Sequence, residues 1–424
     1  MRQIILISFL CLCIIYIAAY FLFIKPYGKN LSIFNTIPIL DLPNISQGYT
    51  LITPYSRILT ETNEKGYVYL ADLLGKSVKT WSTNQQALYS KLMKNGNLFA
   101  IMESPTYSQL FPPGGNTGTL QELDWNSKVV WEYKNEALHH DVELLPNGNI
   151  AAILWEKTPA KIASQIQGGA PGSMLPTKVI WSDNIIELDR NKNVVWSWHS
   201  YEHLDPQKDT LGHLMPQFAW TYTNGISFTE KNPIDGTPAY LLSMRSISTV
   251  MIVRRSDGNI IWRSPKNMLS LQHDPTFLPN GNILVFDNGY DRIPDPYPVL
   301  GSRAVEINPL TNKVVWQFDG GKGVTNRIQF FSSVVGGAQR LPNGNTLITD
   351  GPKGHIFEVT NDGRVVWDLL SPFDTRPTGP FPNKFIFKTR RYTSSDIPVL
   401  KKLSPPVNGF KFRLFKLLRI LYPN

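Results

Sequence analysis

Short alternating apolar segments that each end in tryptophan recur along the chain. They end at Trp81, Trp131, Trp196, Trp262, Trp316 and Trp367, at intervals of 50, 65, 66, 54 and 51 residues. Alternation of apolar and polar positions has the period of a β-strand. In most repeats a strand and a turn rich in Asn, Asp and Gly precede the tryptophan segment, as in IIELDRNKNVVW. Each such pair predicts a β-hairpin.

A second phrase, in which Asn-Gly precedes an apolar run, alternates with the first. It reads MKNGNLFAI at Asn95, LPNGNIAAI at Asn147, LPNGNILVF at Asn280 and LPNGNTLIT at Asn343, with a shorter TNGISF at Asn224. Asn-Gly favours a tight turn with positive φ before a strand. One unit therefore holds about four strands, which predicts an all-β, six-bladed β-propeller over residues 61–392. Residues 30–60 are expected to form a linker and a lead-in strand.

Two longer segments interrupt the repeat with Gly, Pro and Met. They are GGAPGSMLPTK at 168–178 and the stretch 203–217. Loops on a rigid scaffold often carry binding residues. The two segments could equally be surface insertions that the fold tolerates and that have no binding role.

The first residues of the chain predict a membrane segment. Residues 4–24 are apolar except for Ser8, and about 20 such residues span a bilayer core. An uncleaved anchor over 1–29 is favoured over a removed signal peptide because Ala18 and Ala19 lie inside the run. Both interpretations place the propeller on the periplasmic or extracytoplasmic side. Cys11 and Cys13 lie in this run, so the rest of the chain has no cysteine for a disulfide, a nucleophile or a metal site.

The net charge of +9 lies at the C-terminal end. From Lys384 onwards ten Lys and Arg residues face the single acid Asp396, so the preceding 383 residues are neutral. A neutral body argues against a nucleic-acid partner. The phrase FIFKTRRYTSSDIPVL is expected to pack back on the propeller, and 393–424 to form a basic tail. Its segment 410–421 alternates apolar and basic residues, which is typical either of a helix on an anionic membrane or of a disordered basic end.

Two histidines occupy matching positions in different repeats. His140 in HHDVELLPNGN and His273 in LQHDPTFLPNGN each lie five residues before the Leu of the turn phrase, and Gly336 holds that position in the last repeat. Propeller symmetry would bring the two imidazoles to the central channel. Neutral imidazole is a competent nucleophile and proton carrier near pH 7. The next residues, Asp141 and Asp274, are expected to stabilise turns, because neighbours on a strand point to opposite faces.

Arg245 ends an apolar strand in the repeat between the two histidines. A buried guanidinium requires an anionic partner, either a protein carboxylate or a bound oxyanion. Its planar geometry suits sulfate, phosphate and carboxylate alike.

These phrases resemble those of the 3′-phosphoadenylyl-sulfate-independent aryl-sulfate sulfotransferases, a bacterial arylsulfotransferase family. The matching phrases are HHDVELLPNGN, SMRSISTV, NIIWR, LQHDPTFLPNGNILVFDNG, SRAVEI, GAQRLPNGNTLITDG and GHIFEVTNDGRVVW, from about residue 120 to 367. The resemblance implies a six-bladed propeller that moves a sulfuryl group from a phenolic sulfate to another phenol. It implies a sulfohistidine intermediate and no nucleotide, metal or other cofactor.

By this resemblance His273 would be the nucleophile. His140 would hold the sulfate or carry protons, and Arg245 would neutralise sulfate oxygens, a contribution worth several kcal/mol in comparable oxyanion sites. Asn224, in the phrase WTYTN, and Arg303, in the matching phrase SRAVEI, would bind substrate. The family usually has His in a W-[ST]-H-x-N phrase, whereas this chain has Tyr222, which does not normally carry a positive charge at neutral pH.

Two alternatives remain open from the sequence. Because of Tyr222, the propeller could be catalytically weakened and bind an anionic glycan or an envelope partner. A quinoprotein dehydrogenase also has repeats that end in G-x-x-x-W, but such propellers generally have eight repeats and a calcium-binding carboxylate set.

Overall fold

The structure is a computed structural model that describes residues 39–55, 65–103, 111–112, 114–292, 301–320, 330–373 and 384–403. The apolar run 4–24 and the segment 410–421 lie outside these residues, so the membrane anchor and the amphipathic end of the tail stay predictions. Within the described ranges no helix is both long and apolar enough to cross a membrane.

The described strands form six four-stranded antiparallel sheets, which we number as blades 1 to 6. Blade 1 contains β1 (Tyr49–Ile52), β2 (Gly66–Ala71), β3 (Ser77–Thr83) and β26 (Arg390–Tyr392). Blade 2 contains β4 (Ala87–Leu92), β5 (Leu98–Glu103), β6 (Thr117–Leu123) and β7 (Val129–Lys134). Blade 3 contains β8 (Leu138–Leu144), β9 (Ile150–Lys157), β11 (Trp181–Leu188) and β12 (Val194–His199).

The remaining three blades follow in chain order. Blade 4 contains β14 (Thr223–Thr229), β15 (Ala239–Met244), β16 (Thr249–Arg254) and β17 (Ile260–Arg263). Blade 5 contains β18 (His273–Phe277), β19 (Ile283–Asp287), β20 (Arg303–Asn308) and β21 (Lys313–Phe318). Blade 6 contains β22 (Gly337–Arg340), β23 (Thr346–Asp350), β24 (His355–Val359) and β25 (Val365–Leu370). The prediction of an all-β, six-bladed propeller is confirmed.

Among the residues that the structure describes, two strands and four short helices lie outside the blades. Strands β10 (Gly168–Ala170) and β13 (Leu211–Pro216) pair in parallel, and we call this small sheet the flap. The two insertions of the sequence thus pair with each other. The short helices are α1 (Ala160–Ala163) and α2 (Ser200–His203), with 3₁₀ turns at Gly351–Lys353 and Pro398–Lys402.

The first strands of neighbouring blades contact each other, β8 with β14 and β14 with β18, so these strands surround the central axis. Second strands such as β5 and β15 are buried on both faces because each blade is packed between two others. Between blades 3 and 4, for example, Ile153 and Ile185 pack in one cluster with Leu242 and Met251. This packing supplies the main hydrophobic core.

The repeated tryptophans join each blade to the next. Every indole Nε1 donates to the segment between the third and fourth strands of the following blade, and the partner is a backbone carbonyl in five of the six cases. The last of these bonds runs 2.8 Å from Trp367 in blade 6 to the carbonyl of Leu73 in blade 1, which completes the ring. The tryptophan repeat therefore holds neighbouring blades together, in addition to filling space.

The C-terminal segment supplies the innermost strand of blade 1. Strand β26 pairs antiparallel with β1, with Tyr49 opposite Tyr392, and we call β26 the closing strand. Beyond it, Ile397 and Leu400 are buried in the core of blades 1 and 2. The expectation that FIFKTRRYTSSDIPVL packs on the propeller is confirmed.

The basic end of the chain requires one correction. Lys388, Arg390 and Arg391 belong to the ten basic residues that give the C-terminal end its net charge, yet Lys388 and Arg391 are buried and Arg390 is nearly so. Arg391 pairs with the buried Glu358, and its guanidinium lies 4.3 Å from the ring centroid of Trp367. These three cations compensate buried carboxylates inside the propeller, so they do not face a membrane.

Candidate active site

The candidate residues meet at one end of the central axis. In an antiparallel blade, the start of the first strand and the end of the second lie at the same edge. His140 and His273 lie near the starts of β8 and β18, Tyr222 immediately precedes β14, and Arg245 immediately follows β15. Flap strand β10 follows the second strand of blade 3, and flap strand β13 precedes the first strand of blade 4. The flap therefore lies at this end too.

His273 is buried, and its ring is oriented by an asparagine. Its Nδ1 lies 2.7 Å from Oδ1 of Asn288, whose amide nitrogen donates to the carbonyls of Ser332 at 2.8 Å and Val335 at 2.7 Å. Because the amide nitrogen of Asn288 makes both of these donations, the Asn288 atom that faces His273 is the oxygen, which is an acceptor. Nδ1 of His273 therefore carries the proton, and Nε2 keeps its lone pair. Burial and then the positive charge of Arg245 lower the pKa of His273 to about 3, so the ring is neutral near pH 7.

His140 is held by a second histidine. Its Nδ1 lies 2.8 Å from Nδ1 of His139, and its ring packs edge-on to Tyr222 at 4.8 Å between centroids. A Cβ atom on Gly115 would lie 2.3 Å from Nε2 of His140, so the backbone of Gly115 packs against that edge of the ring and a larger residue would clash with it. Burial, followed by the charges of His139 and His273, lowers the pKa of His140 well below its usual value.

Phe387 connects the two histidines across the axis. Its ring centroid lies 6.1 Å from that of His273 and 6.3 Å from that of His140. The residue precedes the closing strand, and Gly336 donates its backbone N–H to the Phe387 carbonyl. Phe387 therefore forms an apolar floor between the two imidazoles. The sequence interpretation did not identify it, although it lies in the phrase FIFKTRRY that was expected to pack on the propeller.

Lys388 reaches two aspartates from different blades. Its Nζ donates to Oδ2 of Asp141 in blade 3 at 2.7 Å and to Oδ1 of Asp274 in blade 5 at 3.1 Å. Arg390 adds a further ion pair to Asp274. Burial by itself would raise the pKa of Asp274, but Arg390 and Lys388 lower it below its usual range. Lys388, together with Arg390 of the closing strand, thus neutralises both buried carboxylates.

The two aspartates have a different role from the one expected. Asp141 accepts the backbone N–H of Ile226 in blade 4 at 3.1 Å, and Asp274 accepts that of Ala338 in blade 6 at 3.0 Å. The expectation that they stabilise turns is wrong, because each holds the first strand of the next blade. The simple alternation of faces also fails: His140 and Asp274 have φ of 57° and 54°, and the strand register shifts beside them.

Tyr222 and Arg245 lie together beside His140. The guanidinium carbon of Arg245 is 5.7 Å from the centroid of the Tyr222 ring, and Nη1 contacts the sulfur of Met215 on the flap at 3.0 Å. The Tyr222 hydroxyl donates to the carbonyl of Gly114 at 3.2 Å. The positive charge of Arg245 contributes to the lowered pKa of both His140 and His273. These pKa effects indicate that Arg245 is electrostatically close to both rings.

The two predicted substrate-binding residues have structural partners. Asn224 is buried, and its amide donates at 2.8 Å to the carbonyl of Gln272, which directly precedes His273. Arg303 donates from Nε and Nη2 to the same oxygen of Asp287, Oδ2, and from Nη2 to the carbonyl of Met268 at 2.9 Å. None of these contacts joins Arg303 to the histidines. The structure therefore brings Asn224 against the His273 segment and ties Arg303 to β19.

An aromatic cluster adjoins Tyr222 below the flap. It is formed by Trp155, Trp181 and Phe218, with Phe111, Met174 and Leu175 packed against it. The centroid of the Trp155 ring is 5.3 Å from that of Tyr222, and Phe111 lies 5.0 Å from Trp181. Within the described part of the chain, no group of three or more His, Cys, Asp or Glu side chains is arranged to hold a metal ion.

Comparisons with known proteins bear on this arrangement. The family model described as Arylsulfotransferase (ASST) matches residues 94–371, from blade 2 to blade 6. No curated protein matches the chain. Among solved structures, a protein of unknown function from Bacteroides caccae is similar with a TM-score of 0.46 and 12% identity, covering 82% of this chain and 99% of its own. The Dos1 propeller is similar with a TM-score of 0.38 and 9% identity, covering 79% and 75%.

Proposed function

This chain belongs to the arylsulfotransferase family, and on that premise we propose that it transfers a sulfuryl group from a phenolic sulfate ester to a phenol. His273 is the nucleophile of this proposal. The observation that carries it is the Asn288 contact, which leaves a lone pair on Nε2 of a buried, neutral imidazole. A neutral imidazole with a fixed tautomer is the form that can attack sulfur.

The proposed reaction has two half-reactions. In the first, Nε2 of His273 attacks the sulfur, the bond from sulfur to the aryl oxygen breaks, and the aryl oxygen keeps the electron pair. In the second, the acceptor phenol attacks the sulfohistidine, its proton leaves, and the electron pair of the N–S bond returns to Nε2. In this proposal Arg245 neutralises the sulfate oxygens and stabilises the charge that develops on them.

Tyr222 and His140 adjoin the position where the aryl oxygens would bind. The Tyr222 hydroxyl can donate a hydrogen bond to a departing oxygen, and His140 can accept the proton of the incoming one. The aromatic cluster of Phe111, Trp155 and Trp181 offers an apolar surface beside them. Aromatic rings pack on such surfaces in offset or edge-on contacts, which supports a phenolic substrate.

The test is direct detection of the intermediate. Purified protein is mixed with 4-nitrophenyl sulfate, and the intact mass and release of nitrophenol are measured with and without phenol. We expect one sulfuryl adduct, mapped by peptide mass to His273, and no adduct in the His273→Gln variant. His199→Gln is the matched control, because His199 pairs with Glu156 on blade 3 outside the cluster. Absence of nitrophenol release from the wild-type protein would reject the proposal and favour a binding propeller.

We also propose that residues 4–24 anchor the propeller on the extracytoplasmic side of a membrane. The length and apolarity of this run support the proposal. Alkaline extraction of membranes from cells that produce the full chain is the test. Release of the protein into the soluble fraction would contradict it.

A further inference from the structure

A further buried carboxylate, Asp183, lies beside His139 on the side away from His140. His139 is stacked on Trp155 with 4.0 Å between ring centroids, and its Nε2 lies 3.2 Å from Oδ1 of Asp183 on β11. The side chains of His139 and Asp183 are both fully buried. The other oxygen of Asp183 accepts the backbone N–H of Thr223 at 2.6 Å. The Asp183 charge is therefore fixed in position, beside the ring that contacts His140.

The contacts assign the protons on both rings. A carboxylate oxygen 3.2 Å from Nε2 of His139 favours a proton on that nitrogen, because the negative charge attracts an N–H and repels a lone pair, although the two atoms do not form a hydrogen bond. Nδ1 of His139 is then an acceptor, so the hydrogen between the two Nδ1 atoms belongs to His140. Nε2 of His140 is left with its lone pair, at the edge against which only the backbone of Gly115 packs.

We propose that Asp183, His139 and His140 form a proton relay that activates the acceptor phenol in the second half-reaction, an inference that rests on the proposed function. The phenol O–H bond breaks, and its proton binds Nε2 of His140. The proton on Nδ1 of His140 passes to Nδ1 of His139, which becomes an imidazolium beside the Asp183 carboxylate. The phenol oxygen attacks sulfur, the N–S bond breaks, and its electron pair stays on Nε2 of His273. The proton later returns by the same route to a departing aryl oxygen or to solvent.

His139 and Asp183 are positioning residues in this relay, because they act through His140. The Asp183 charge stabilises the imidazolium that forms on His139, and a buried carboxylate is effective at this distance because little water screens it. The first half-reaction with 4-nitrophenyl sulfate needs no proton from the relay, since nitrophenolate is a stable leaving anion. The relay therefore predicts that the two half-reactions respond differently to substitution.

Two conservative variants test the relay. His139→Phe keeps an aromatic ring to stack on Trp155, and Asp183→Asn keeps an oxygen to accept the Thr223 N–H. We expect each to form the sulfo-His273 adduct with the same burst rate of nitrophenolate as the wild-type protein. Transfer from the isolated adduct to phenol is expected to slow by about 100-fold, the lower end of general acid–base contributions. His199→Phe, which removes another histidine–carboxylate pair of blade 3, is expected to change neither rate.

Each result distinguishes the relay from its alternatives. Equal slowing of the burst and of the transfer would indicate a merely structural role for His139 and Asp183 and would overturn the relay. Unchanged transfer in both variants would also overturn it. Lack of a burst in the wild-type protein would overturn the proposed function, and the relay with it.

Discussion

Nδ1 of His273 and Oδ1 of Asn288 lie 2.7 Å apart, and the amide of Asn288 is fixed in turn by the carbonyls of Ser332 and Val335. An asparagine therefore sets the tautomer of the proposed nucleophile, whereas the neighbouring Asp274 bonds to Ala338, Lys388 and Arg390. A neutral partner orients the imidazole without stabilising its protonated form as a carboxylate would. Nε2 therefore stays unprotonated over a wide pH range.

Asn288→Asp is expected to raise the pKa of His273, because a carboxylate beside the ring favours the imidazolium. A nearby opposite charge shifts a pKa by about 1 to 3 units. The pH below which the rate of adduct formation falls should rise by a similar amount. Adduct formation in mildly acidic buffer should therefore be slower than in the wild-type protein. The pH dependence of the nitrophenolate burst checks this. A profile identical to that of the wild-type protein would contradict the assigned role of Asn288.

His273→Gln is expected to change how stability depends on pH. The pKa of His273 is lowered to about 3 in the folded protein, below the ordinary value of 6.5. As pH falls below 6.5, the unfolded chain binds a proton that the folded protein does not, so the folded protein loses stability. Between pH 6.5 and 4.5 this loss is about 2 to 3 kcal/mol, and the variant should lack it. Urea unfolding at the two pH values measures the difference, and parallel declines would refute the prediction.

Lys388→Met is expected to destabilise the propeller by about 3 to 5 kcal/mol, because it leaves Asp141 and Asp274 buried with less positive charge. Lys208→Met is the control: its ion pair with Asp205 is exposed, and we expect little or no loss of stability. Denaturant unfolding of both variants is the measurement. Equal small losses would show that Lys388 is not needed to compensate the two aspartates.

Trp367→Phe is expected to weaken the closure of the ring. It removes the indole N–H that reaches the carbonyl of buried Leu73, and an unsatisfied buried carbonyl costs about 1 to 3 kcal/mol. Trp316→Phe removes the same kind of bond to Asn361 at an exposed position, where water can replace the donor. Thermal unfolding should show the larger loss for Trp367→Phe. A larger loss for Trp316→Phe would contradict the closure role.

Tyr222→His tests the departure from the family phrase. Histidine at this position could protonate and donate to a departing aryl oxygen, so we expect transfer to rise by about 10-fold or more. The increase should be larger for phenyl sulfate than for 4-nitrophenyl sulfate, because the poorer leaving group needs the proton more. Tyr222→Phe, which loses only the hydroxyl bonded to Gly114, should not show this increase. An equal response of both esters would argue against proton donation.

The sequence predicted the fold because each blade carries its own strand period and turn signal. The tryptophan and Asn-Gly phrases lie within single blades, so local patterns were enough to count six of them. Alignment on the turn phrase also paired His140 with His273, and the structure connects these two rings through Phe387. Asn288 was present in the quoted phrase FDNG, but its role depends on carbonyls 44 and 47 residues away.

By itself the sequence determined the number of blades, the blade positions of the two histidines and the family phrases. Only the tertiary structure decided what surrounds the histidines, because those contacts form when the ring closes. Lys388 meets Asp141 across 247 positions of the chain, and no strand period encodes that distance. The left-handed backbone of His140 and Asp274 likewise interrupts the alternation of side-chain directions that a strand period predicts. Periodicity specifies the blades, whereas burial and charge at their common axis specify the chemistry.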